Sequence, residues 1–201
     1  MSSKHLRRYN ARRTEDNSGA VATCEDSGVA AKRLCWKFEP VDYRWQKQQI
    51  TRFGVDIIKK HVPRKNVNKL FHQHTVPTTC VNVRGDGNCF YRVLSIAVAG
   101  AEQHHAAIRE QVVAYMYTER INLQIAQLYA ELDVEAVGQQ GNWATDAEIF
   151  AAASYLKTNI FVHTSVGWQI YESGRLSDEA LYLCKVYIKH SSDHFYFVKN
   201  V

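Results

Sequence analysis

Only three prolines and ten glycines stand among 201 residues, too few for a collagen-like, mucin-like or wholly disordered chain. The longest uncharged run of small and apolar residues, Ser95 to Ala101, falls far short of the ~20 residues that a membrane helix requires. No membrane partner is expected. The opening MSSKHLRRYN has charges but lacks the apolar core of a signal peptide, so the chain reads as soluble and not secreted, cytoplasmic with the nucleus as an alternative. Paired cysteines are missing as well. Cys24, Cys35, Cys80, Cys89 and Cys184 are odd in number and irregularly spaced, which argues against a disulfide framework and leaves room for a working thiol. His72, His74 and Cys80 lie close together without a CxxC or HxxxH element among them. No metal or cofactor is therefore expected. Internal repeats are absent too.

What remains is an ordinary globular composition, 46% hydrophobic and 22% charged, in a chain long enough to bury about 70% of its unfolded surface without disulfides. The net charge of +5 conceals an asymmetry. Residues 1–78 carry 16 Lys and Arg against 7 Asp and Glu, the remainder 9 against 13. Residues 1–34 are poor in large apolar side chains and are expected to form a disordered basic tail. Residues 35–78 read as a basic helical extension: from Asp42 onward Trp45, Ile50, Phe53, Val55, Ile57 and Ile58 alternate with Lys and Gln, as in one or two short helices. The cluster Lys59, Lys60, Arg64, Lys65 and Lys69 could meet nucleic acid, but no aromatic-interleaved stripe accompanies it. A solvated positive face is the preferred reading.

Patterning is clear from residue 79 onward. Val81 to Val83 read as a strand, Gly85 to Gly87 as a turn, and Phe90 to Ala99 as a helix. Ile108, Val112, Tyr115 and Met116 form an apolar stripe that belongs in a core, and Ile121, Ile125, Leu128 and Leu132 continue a helical period. Thr145 and Glu148 make a capping box for a helix through Ile149, Ala152, Ala153 and Leu156. Then the period becomes two, over Ile160 to His163, Val166 to Tyr171, Leu181 to Lys189 and His194 to Val198. Helices followed by strands predict an α+β domain with helices packed around a small sheet.

The segment VRGDGNCFYRVLS sets Cys89 just after a glycine-bearing turn, in the first turn of a helix. Unpaired N–H groups there stabilise an anion, so the position suits a thiolate and can cradle a developing oxyanion. A thiol nucleophile needs a base. Among nine histidines, His194 stands out because it opens the last β-run directly after the turn SSD; His163 and His190 are weaker candidates.

Four ordered segments, GDGNCFYR, HHAAIREQVVAYM, WATDAEIFAAASYLKTNIFVH and HFYFV, resemble the ovarian tumour (OTU) family of cysteine proteases, covering about residues 79–201. The resemblance implies a papain-like OTU fold and an isopeptidase that cleaves ubiquitin, polyubiquitin chains or a ubiquitin-like protein from lysine. It implies Cys89 as nucleophile, His194 as general base and Asp86 as the aspartate shaping the oxyanion loop. Gly87 and Asn88 contribute to that turn, and Trp143 is expected to be structural. Family members often carry Asp or Asn two residues after the histidine, where this chain has Tyr196. A phenol is a poor copy of a carboxylate. The orienting residue is therefore sought among Tyr196, Asn82 and Asp193, or is absent. Activity is expected, at a reduced rate if no residue takes that role; the alternative is a catalytically weak or inactive ubiquitin-binding module. A third reading gives the main role to nucleic-acid binding by residues 1–78. Glu148, Glu172, Asp178 and Glu179 are candidates for an acidic channel along an arginine-bearing substrate tail.

Overall fold

The computed structural model describes residues 22–23, 34–60, 69–119, 134–173 and 184–201. Apart from Ala22–Thr23 and Leu34, the expected tail lies outside them, as do Arg64, Lys65, the period from Ile121 to Leu132, Asp178 and Glu179. In chain order the strands are β1 (Ala22–Thr23), β2 (Leu34–Lys37), β3 (Leu70–His72), β4 (Thr79–Val81), β5 (Ile160–Thr164), β6 (Gly167–Tyr171), β7 (Val186–Ser191) and β8 (His194–Asn200). The helices are α1 (Tyr43–Phe53), α2 (Cys89–Ala99), α3 (His105–Glu119), α4 (Val134–Gly138) and α5 (Asp146–Leu156). A five-stranded sheet runs β4-β8-β7-β5-β6, parallel only between β5 and β7, and a three-stranded antiparallel sheet runs β1-β2-β3.

Apolar residues fill every turn of CFYRVLSIAVA except at Arg92 and Ser95, so α2 has no solvent face and all its residues are buried. It forms the axis of a core that also takes Ile108, Val112 and Met116 from α3 and Ile149, Ala152 and Leu156 from α5. The stripe and the capped helix lie where their periodicity placed them. The Thr145 hydroxyl accepts from Ala147 N–H while Glu148 accepts from Thr145 N–H at 2.8 Å, closing the capping box.

Alternation along the strands gives the sheet two apolar faces. Ile160, Val162, Val186 and Ile188 face α2, while Phe161 and Tyr187 join Phe38, Phe71 and Trp168 on the opposite side. Described residues between 35 and 71 contribute to the packing on both faces. Trp45 of α1 is 1% exposed and donates from Nε1 to Thr158 Oγ1 at 2.8 Å, and Phe71 of β3 is fully buried among Trp36, Phe161, Trp168 and Tyr187. The segment read as a helical extension thus contributes strands as well as a helix. Their apolar runs, of three or four residues, are too short to show a period. The strand expected at Val81 to Val83 begins two residues earlier, because Thr79 to Val81 are the residues that find partners on β8.

Candidate active site

Two elements converge on the turn before α2. The first is the turn itself. Gly87 has φ +78°, and a Cβ there would lie 1.7 Å from Gly141 O, so the backbone of the loop after α4 rests directly against it. Asn88 completes the contact by accepting from Gly141 N–H at 3.1 Å through Oδ1. Asp86 accepts from Asn88 N–H at 3.1 Å and from Arg92 Nε and Nη2 at 3.1 and 2.5 Å. Arg92 reaches Glu102 as well, at 3.4 Å. The Arg92 guanidinium, aided by Asn88, holds the Asp86 carboxyl well below the usual carboxylate range although partial burial opposes it. Asp86 therefore remains ionised and braces the turn.

Cys89 opens α2 with 3% of its surface exposed. The second element, the β7–β8 hairpin, carries His194 to this turn. Ser192 and Asp193 both adopt positive φ, 48° and 64°, giving a tight two-residue turn that pairs Ser191 with His194. His194 lies with Nδ1 and Cε1 each 3.6 Å from the point where a Gly85 Cβ would stand. The next residue, Phe195, packs on Phe90 with ring centroids 5.5 Å apart. The residue after Cys89 therefore packs against the residue after His194.

Of the three residues considered for orienting His194, Asn82 makes the hydrogen bond: its Oδ1 lies 3.0 Å from Nε2. An amide oxygen only accepts, so Nε2 is the donor in this bond, and Nδ1 is the ring nitrogen on the Gly85 side. Tyr196 meets the ring edge-on at 4.7 Å between centroids. Asp193 occupies the hairpin turn. Half-burial draws His163 and His190 below the ordinary histidine value; His163 packs on Trp168 and His190 on Phe195.

Two expectations need correction. Trp143 is 60% exposed: it precedes the cap of α5 and so lies ahead of that helix's buried face, on the loop that covers Gly87. Glu148 is 1% exposed and committed to the capping box, so it cannot line an open channel. Burial raises its pKa. Glu172 is exposed at the end of β6.

Arg109 escaped the sequence reading. It is 1% exposed and donates to the carbonyls of Gly87, Val137, Gln139 and Asn142, with its guanidinium 4.2 Å from the Tyr91 ring centre. Burial lowers its pKa from the ordinary arginine value. The signal was available, because Arg109 shares a helical face with Val112, Val113 and Met116, and a charge on an apolar stripe needs partners.

An α+β fold thus sets Cys89 at a helix start, with the asparagine-bonded His194 against Gly85 in the segment that leads to it. The model of the family described as OTU-like cysteine protease matches residues 84–195, more than half of the chain, and the chain belongs to that family. Curated relatives include the OVARIAN TUMOR DOMAIN-containing deubiquitinating enzyme 7 of Arabidopsis thaliana, 28% identical over 97 residues covering 45% of this chain and 25% of the relative. Another is the human OTU domain-containing protein 1, 34% identical over 100 residues covering 49% of this chain and 20% of the relative. The chain thus aligns with a quarter or less of the length of these two proteins. Among solved structures, the OTU domain of OTUD1 superposes with a TM-score of 0.49 at 27% identity, over 59% of this chain and 83% of that one. No helix among the described residues is long and apolar enough to cross a membrane.

Proposed function

We propose that this chain is a deubiquitinating cysteine isopeptidase that hydrolyses the bond between the C-terminus of ubiquitin, or of a ubiquitin-like protein, and a lysine side chain. The observation that carries the reading is the 3.0 Å contact of His194 Nε2 with Asn82, which leaves Nδ1 as a base on the side of the Cys89 turn. In the reaction Nδ1 takes the Cys89 proton and the sulfur attacks the carbonyl carbon of the terminal glycine. The oxyanion forms in the main-chain field at the start of α2. Collapse breaks the C–N bond, and the imidazolium protonates the departing lysine amine. Water, deprotonated by the same imidazole, then cleaves the thioester and restores the thiol. The near-burial of Cys89 fits a substrate ending in a slender glycine strand and disfavours bulky ones.

Incubation with ubiquitin bearing a C-terminal propargylamide tests this. The intact protein should form a covalent adduct that Cys89→Ser does not form, and adduct formation by Cys89→Ser would remove Cys89 as the nucleophile. The coverage of the Cys89 side chain also favours a second reading, a ubiquitin-binding module without turnover. That reading requires measurable ubiquitin binding with neither capture nor chain cleavage.

A further inference from the structure

The peptide group joining Gly87 to Asn88 immediately precedes the nucleophile's own residue, and side chains hold both of its polar atoms. Its carbonyl accepts from Arg109 Nη2 at 3.2 Å, and its N–H donates to Asp86 Oδ1 at 3.1 Å. The same guanidinium ties down the end of α4 through the carbonyl of Val137 at 2.9 Å and the loop after it through those of Gln139 and Asn142 at 2.5 Å each. A planar fork of donors suits four carbonyls arrayed around it, whereas a lysine ammonium is a single point with three donors. If the position served packing alone, an apolar side chain would fill it without the cost of taking a charge out of water.

Resting on the cysteine-protease reading, we infer that Arg109 is a positioning residue for the reaction. It fixes the plane of the Gly87–Asn88 peptide, and with it the direction of the Cys89 thiol and main-chain N–H. It also fastens the 137–142 loop to the same peptide. Rotation of that peptide would leave the fold in place while turning the donors away from the developing oxyanion. Arg109 therefore acts on the chemical step through the main chain, without touching substrate.

The test compares the full chain with Arg109→Lys, measuring capture rate against the concentration of ubiquitin propargylamide and normalising to the fraction that unfolds cooperatively. The maximal rate should fall about 10- to 100-fold, the size expected when a reacting group is displaced by about an ångström. The half-saturating concentration should change by less than about 3-fold, well within one decade of affinity. A wild-type maximal rate, or a loss confined to the half-saturating concentration, overturns the inference. Should Arg109→Lys fail to fold, Asn88→Ala removes the Asn88 side-chain ties to Gly141 N–H and to the Asp86 carbonyl and must show the same split; unchanged capture by it overturns the inference equally. If the wild-type protein resists capture altogether, the functional reading falls. The pH profile of iodoacetamide labelling at Cys89, followed by peptide mass, then decides: a curve displaced in Arg109→Lys sustains the positioning role, and superimposable curves end it.

Discussion

Asn82 and His194 stand 112 positions apart in the chain, yet a 3.0 Å contact joins them, and in the proposed reaction it leaves Nδ1 to act as the base. Asn82→Ala should lower the turnover number by about 10- to 100-fold with little change in KM. That is less than the 10²–10⁴ contributed by the base itself, because the ring keeps its edge-on contact with Tyr196. Steady-state cleavage of a fluorogenic ubiquitin amide reads this directly, and an unchanged turnover number would free Asn82 of the orienting role. Asp86 makes its prediction through pH. Its folded pKa is depressed by Arg92, so its contribution to stability is present above its ordinary value of 3.8 and is lost as the pH falls through the folded value. Thermal melts should show Asp86→Asn less stable than the wild type near neutrality, with the gap closing as the pH drops below about 4.

At the scale of the element, the β7–β8 hairpin presents His194, the proposed base, directly after a turn whose two central residues, Ser192 and Asp193, both lie at positive φ. Neither is a glycine, and the left-handed region costs an ordinary L-residue roughly 1–2 kcal/mol. Asp193→Gly should therefore stabilise the protein by about 0.5–1 kcal/mol and leave ubiquitin capture intact, as chemical denaturation and the propargylamide assay would show. Elements of this kind differ in how legible they are. The Thr145 to Glu148 box, the stripe through Ile108 and Met116, and the GDGNC turn are local patterns with one physical solution each, and they lie where the sequence places them. The short strands β2 and β3 are not local in that sense, since they exist through pairing with one another and through an aromatic layer assembled from distant segments. The same distinction separates Cys89, legible from its own turn, from Asn82, which could be only one of three candidates until the chain was folded. Arg109 was visible as a misplaced charge and invisible as a clamp, because its acceptors are main-chain carbonyls that carry no sequence signature.

At the scale of the whole molecule, the described residues between 35 and 71 are built into the same apolar interior as the rest. Trp45 and Phe53 pack in the core around α2, while Phe38 and Phe71 cover the far face of the large sheet. Fully burying such a side chain stabilises a fold by about 1.5–3 kcal/mol, so residues 79–201 expressed alone should lose cooperative unfolding and bind a hydrophobic dye. A fragment melting like the full chain would show that the cover is dispensable. The backbone contact between Gly87 and Gly141 is one of the joints of this assembly, and it bears on genetic variation. In a library of every single-codon change, position 87 should admit no replacement, since even one methyl group would occupy the space of a neighbouring carbonyl. Position 85, where an added methyl group meets the imidazole at ordinary van der Waals distance, should accept alanine, so the tolerance of this stretch is set by the nearest backbone and not by proximity to the thiol.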